Sequence, residues 1–152
     1  MRKKEKEIQD RETIMRILKE APVIRIALCD EGQPYVVAMN FAYEENCIYL
    51  HSALDGRKIE VLKKNNRVAF QTDIEMGMIE SDRPCNWSVH YLSLMGSGRA
   101  HFVTELETKK QALDIIMSKY SGLSTFEYLS SILEKTCLIR IDIEEMCGKR
   151  SG

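Results

Sequence analysis

The sequence predicts a mainly β, α+β protein: six antiparallel strands with flanking helices. Three observations carry this. Short apolar runs with strand-like alternation recur between Val23 and Ile143. The connections between the first three runs, all before Ser52, are too short for the crossovers of a parallel βαβ sheet. Capping and turn residues place one helix early, one in the middle and two late. Six strands at this spacing fit a closed barrel, although spacing does not require closure.

The first helix is expected over Glu7–Glu20, with Ile14, Met15, Ile17 and Leu18 as its apolar side and Pro22 as its stop. Val23–Cys29 alternates, with Ile24, Ile26 and Leu28 on one face. The run Asp30-Glu-Gly-Gln-Pro34 is turn chemistry. Tyr35–Tyr43 and Cys47–His51 complete an expected three-stranded meander.

A short helix follows, with Asp55 as N-cap, Gly56 as first helical residue, Arg57 and Lys58 in the first turn, and Asn65 left-handed after it. Arg67–Thr72 reads as the fourth strand and Asp73–Pro84 as an irregular excursion. Tyr91–Val103 is a long strand. Its Gly96 and Gly98 share one face, where a backbone or ligand can approach closely. Thr104-x-x-Glu107 reads as a capping box for a helix ending near Tyr120, with Gly122 beyond it. The stripe Ala112, Leu113, Ile116, Met117 and Tyr120 is core packing. Ser124-x-x-Glu127 caps a further short helix, and Cys137, Ile139, Ile141 and Ile143 mark the last strand.

Composition narrows the function. The length of 152 residues fits one domain, residues 1–152. A net charge of -1 gives no reason to expect nucleic acid or a membrane surface as partner. No apolar run approaches the ~20 residues of a membrane span. The charged start, Met-Arg-Lys-Lys-Glu-Lys-Glu, lacks the apolar stretch of a signal peptide, so a cytoplasmic location is expected. The five cysteines form no Cys-x-x-Cys pair; Cys29, Cys47 and Cys137 are expected mainly as small core residues. His51, His90 and His101 show no metal-binding spacing, and no metal is expected. No Gly-x-Gly-x-x-Gly opens a helix, so a Rossmann-type nucleotide site is not expected.

The densest functional signal is Ser52–Asn65, entered from the strand Ile48-Tyr-Leu-His51. A helix start has unpaired N–H groups and partial positive charge. Arg57 and Lys58 are disfavoured there unless an anion occupies the site, and the Ser52 hydroxyl stands at the strand end. Together they suit a phosphate. The plain alternative is a solvated helix face.

Several pieces agree in order with a known pattern: Ile26-Ala-Leu28, Gly32-Gln-Pro-Tyr-Val-Val37, Asn40-Phe-Ala-Tyr43, Leu50-His-Ser-Ala53, Gly56-Arg-Lys58, Gly96-Ser-Gly98-Arg-Ala100 and Gly148-Lys149. From about Ile8 to Lys149 the chain resembles the nitroimidazole-resistance (Nim) branch of the pyridoxamine 5′-phosphate oxidase-like FMN-binding split-barrel superfamily. The resemblance implies a Greek-key split barrel and FMN at the interface of a homodimer. Arg57 and Lys58 would bind the FMN phosphate, with a hydrogen bond from Ser52. His51 and Ala53 would lie towards the ribityl chain or ring. The strand around Met39, Asn40 and Phe41 would offer backbone groups to the isoalloxazine edge.

The implied activity is FMN-dependent reduction of a small electron-poor compound. The chain lacks the Arg…Lys pair around Ala38–Phe41 and the C-terminal Trp and Arg elements of pyridoxamine 5′-phosphate oxidases, which speaks against vitamin B6 oxidation. Two other classes stay open. One is a haem-binding or haem-degrading split barrel, with His51, His90 or His101 as ligand; the other is a flavin-binding module without turnover. His51 is either a proton donor beside the flavin or a structural, hydrogen-bonded histidine. Trp87 either lines a lid or covers the dimer interface, the second being preferred. Lys149 either directs a cation to flavin or is solvated.

Overall fold

The computed structural model describes residues 4–152; the first three residues of the charged start lie outside them. The architecture is a strongly coiled antiparallel sheet with helices at one end and on one outer face. Its strands are β1 (Glu7–Ile8), β2 (Ile24–Asp30), β3 (Gln33–Met39), β4 (Phe41–Glu44), β5 (Cys47–Ala53), β6 (Arg67–Ile79), β7 (Ser88–Val103) and β8 (Thr136–Ser151). The helices are α1 (Arg11–Glu20), α2 (Arg57–Lys64), α3 (Leu106–Ser121) and α4 (Ser130–Lys135). The hydrogen-bonded path runs β3-β2-β6-β7-β8-β5-β4, with β1 added to β8.

This corrects the expected count of six strands, because eight are present among the described residues. The sheet is not closed by a continuous ladder. Its two ends, β3 and β4, are nevertheless consecutive in sequence and separated only by Asn40. The expected single strand Tyr35–Tyr43 is therefore two strands, and the expected meander does not form: β3 pairs with β2, whereas β4 pairs with β5. Alternation reveals a strand but not which neighbours its two halves choose.

Inside the coil lie Ile24, Ile26, Phe41, Leu50, Phe70 and Ile141, each at most 3% exposed. On the outer face α3 and α4 cover Ala42 and Leu138 with Ala112, Leu113, Ile116 and Leu133. Residues 138 and 139 of β8 thus point into two different cores, as the two-residue period of a strand demands. Gly96 and Gly98 serve a close backbone approach: a Cβ on Gly96 would run into the Glu145 carbonyl and the Phe70 ring, and one on Gly98 into the Asp142 carbonyl.

Several local expectations are corrected. The first helix starts at Arg11, capped by Asp10, whose carboxylate accepts from the Glu12 and Thr13 N–H groups at 3.3 and 2.8 Å. Glu7 and Ile8 instead form β1, and Ile8 lies where a Cβ on Gly148 would sit. Asp73–Ile79 is not irregular; it continues β6 in a long hairpin with β7, bulged at Met76. The cap of α3 is Glu105 rather than Thr104, since its carboxylate reaches the Glu107 and Thr108 N–H groups at 3.1 and 2.6 Å. Gly122, at φ 72°, ends that helix as expected. The last helix begins at Ser130, with Ser124 and Glu127 outside it. Cys29 is exposed and Cys47 partly so; only Cys137 of the three is buried. No described helix is long and apolar enough to cross a membrane.

Candidate functional site

β5 carries Ile48 and Leu50 into the core, which turns His51 and Ala53 outwards. Both are exposed, and no described residue hydrogen-bonds the His51 ring. Ser52 is partly buried and pairs with Cys137 of β8. The strand runs on to Ala53 before turning into α2.

The entry to α2 differs from the expectation. Arg57 is the first helical residue and Gly56 the N-cap, at φ 104° and ψ 166° with no side-chain cap. Asp55 does not cap the helix. Glycine serves because that positive φ strains any side chain. The Gly56 carbonyl accepts from the Ile59 and Glu60 N–H groups at 2.9 and 3.2 Å, leaving the Arg57 and Lys58 N–H groups as unpaired donors of the first turn. At the other end Asn65 is extended, not left-handed. Its side chain donates to the Cys29 carbonyl at 3.4 Å and accepts from the Arg67 N–H at 3.1 Å.

The two cations of that turn are handled differently. Arg57 Nε donates to Asp30 Oδ2 at 3.1 Å, and the guanidinium lies over the Tyr35 ring, 4.6 Å from its centroid. Its Nη1 and Nη2 have no partner among the described residues. Lys58 is partly buried with no carboxylate partner among them, and that burial pushes its pKa below the usual lysine value. The nearby Cys137 thiol, itself raised by burial, feels Lys58, Lys63 and Lys109. An unpartnered ammonium, an open guanidinium fork and two free backbone donors fit a phosphate monoester.

The third piece is the strand break at Asn40. Phe41 pairs with Leu50 at the start of β4, which puts Asn40 just beyond that pair, whereas Met39 already belongs to the β2–β3 ladder, opposite Ile24. Phe41 is fully buried and Met39 nearly so, while Asn40 is exposed. The Phe41 N–H donates to Tyr120 Oη at 2.9 Å, and that hydroxyl donates to the Pro22 carbonyl at 2.8 Å. The Phe41 N–H is therefore not free for a ligand. Lys119 Nζ lies 3.2 Å from the Phe41 ring centroid and donates to the Leu18 carbonyl at 2.9 Å. Burial lowers the Lys119 pKa to about 8.

Ser52 and Ala53 thus end β5, Arg57 and Lys58 begin α2 a few residues later, and Phe41 opposite Leu50 brings the strand break alongside the His51 end of β5. The fold does not bring Trp87 or Lys149 there within one chain. Trp87 is 50% exposed and donates from Nε1 to the Ser81 carbonyl in the loop between β6 and β7. Lys149 pairs with Ser93, whereas His51 pairs with Leu138, on the order of 35 Å of strand away. Sequence reasoning missed Asp30, Tyr35, Lys119 and Tyr120. Asp30 reads as turn chemistry and Tyr120 as helix stripe; no local signal marks their distant partners.

The family model for pyridoxamine 5′-phosphate oxidase matches residues 10–150. A crystal structure of a candidate 5-nitroimidazole antibiotic resistance protein from Bacteroides thetaiotaomicron superposes with a TM-score of 0.83 at 34% identity, over 95% of this chain and 86% of that one. An FAD-binding protein from Mesorhizobium loti superposes with a TM-score of 0.67 at 26% identity, over 94% of this chain and 96% of that one. An FAD- and haem-binding protein from Mycobacterium smegmatis shares the fold, with a TM-score of 0.85 at 17% identity, over 96% of this chain and 73% of that one. An uncharacterized protein of Rhizobium meliloti (strain 1021) is 30% identical over 64 residues, a stretch spanning 42% of each chain.

Proposed function

The chain belongs to the pyridoxamine 5′-phosphate oxidase family, and from that premise we propose that it is an FMN-dependent oxidoreductase of small electron-poor compounds, with nitroimidazoles as the type substrate. The observation that carries the substrate class is the 34% identity with the Bacteroides candidate resistance protein over 95% of this chain. The observation that supports a flavin monophosphate is the set of unpaired donors at Arg57 and Lys58.

Bound flavin supplies the electron transfer, and the protein supplies binding, orientation and proton delivery. In this reading Arg57 and Lys58 hold the phosphate and the Ser52 hydroxyl donates to it. Asn40, one residue before the Phe41–Leu50 pair, lines the ring edge with Met39, while Phe41 supports that edge from inside the core. His51, exposed and unpartnered, holds a proton for an oxygen of the substrate. His51 and Ala53 face outwards, which leaves the site open on one side. A second copy covers it, giving a homodimer with two equivalent sites. The likeness to the Mesorhizobium protein favours one second reading, FAD in the same place with its adenylate half beyond the phosphate site.

Mass spectrometry of the released cofactor, with an absorption spectrum of the purified protein, tests the first claim. FMN is expected; FAD alone supports the second reading, and a haem spectrum displaces both. Sedimentation should give a dimer. Flavin-reduced protein mixed with a nitroimidazole should reoxidise in a single turnover, and His51→Gln should slow that step by roughly 10²–10⁴-fold at unchanged occupancy. Full occupancy with no reoxidation would reduce the protein to a flavin carrier. A wild-type rate in His51→Gln would remove the proton role.

A further inference from the structure

We propose that Asp30 is a positioning residue for the phosphate-binding arginine: with the Tyr35 ring it holds the Arg57 guanidinium by one edge and leaves the opposite fork open to the ligand. The proposal rests on the FMN reading above and concerns residues outside the motif that suggested it.

Asp30 takes only Nε, at 3.1 Å, and Tyr35 takes one face of the guanidinium plane at 4.6 Å. Nη1 and Nη2, the pair that grips a phosphate in bidentate fashion, stay without a partner among the described residues. The Asp30 side chain is the less exposed of the two, at 25% against 56% for Arg57. It ends β2 opposite Gln33, at a two-residue turn whose Glu31 and Gly32 both have positive φ, 52° and 89°. An arginine fixed before its ligand arrives loses less freedom on binding.

The same turn provides an internal control. Glu31 pairs with Lys64 at 3.1 Å, at the far end of α2, with both side chains mostly exposed. The two ion pairs join the same turn to the same helix, but only the first touches the candidate site.

Apoprotein is titrated with FMN and with riboflavin, which lacks the phosphate. Asp30→Ala should weaken FMN binding about two- to fivefold and leave riboflavin unchanged. Tyr35→Leu should act in the same direction. Asp30→Asn, which keeps an acceptor for Nε, should recover most of the loss, and Glu31→Ala should change neither ligand. Unchanged or tighter FMN binding in Asp30→Ala would overturn the proposal, since Asp30 would then be a bystander or a competitor. Equal losses for both ligands would overturn it as a general folding effect. If Arg57→Ala binds FMN as the parent does, or the parent binds no FMN, the phosphate reading itself has failed and the proposal falls with it.

Discussion

At the start of α2 Arg57 is exposed and tied to the rest of the molecule by a surface ion pair, and Lys58 beside it is only partly buried. At the Asn40 break the neighbouring Phe41 is fully buried, and two consecutive residues of α3 pin it, Lys119 through its ring and Tyr120 through its backbone. Both regions border the candidate site, yet the second is part of the core and the first is not. Exposed ion pairs of this kind contribute little to folding, so on the reading proposed above the α2 start matters for the ligand. A buried strand break contributes stability, and any influence on a ligand comes through shape. The contrast separates variants that damage binding from variants that damage the protein.

The strongest way to break this comparison is Phe41→Ala. Emptying a fully buried aromatic position should cost about 3–5 kcal/mol, lowering the melting temperature by on the order of 10 °C. A loss below ~1 kcal/mol in urea unfolding would show that the break is not structural. Next is Tyr120→Phe, which leaves the Phe41 N–H and the Pro22 carbonyl without their hydroxyl partner. It should cost about 1–3 kcal/mol, read from the same urea curves.

Lys119 sharpens the comparison by its sign. Burial depresses its pKa from 10.5 to about 8, so the folded protein binds fewer protons there than the unfolded chain between those values. Its contribution to stability should therefore rise as pH goes from about 8 towards 10.5. Lys119→Met should lack that rise when urea midpoints at pH 7.5 and 10 are compared with those of the parent. Equal pH slopes would mean that the Phe41 ring and the Leu18 carbonyl offset the burial. The smallest effect on folding is expected for Arg57→Ala, within about 0.5 kcal/mol. Its FMN affinity should nevertheless fall about ten- to a hundredfold, from a lost contact contributing roughly 1.5–3 kcal/mol. A destabilised Arg57→Ala with unchanged affinity would invert the comparison.

The same contrast explains what could be read from the sequence. The α2 region is local: strand end, glycine and two cations stand within seven residues, so the motif was visible, though the cap fell on Gly56 rather than Asp55. The break is not local. Residues 35–43 read as one nearly continuous apolar run, and only pairing with β2 on one side and β5 on the other divides them. Ile8 continues the apolar spacing of α1, yet the missing side chain of Gly148 draws it into a strand. Asp30 and Tyr35 precede Arg57 by 27 and 22 residues, and nothing in their own neighbourhood announces the contact. Core faces such as Ile24, Ile26 and Leu28 were legible because burial follows the two-residue period directly.

One consequence of the sheet order concerns the time course of synthesis. β5 has only the short β4 as an early partner; its other neighbour is β8, and Cys47 opposes Asp142, 95 residues later. While the chain is being made, the strand bearing His51 and Ser52 waits for nearly all that follows it. Pairing over such separations is slow. Ser52 can meet Cys137 only once β8 has been made, so on the FMN reading proposed above the cofactor is expected to be acquired after translation rather than to serve as a template for folding.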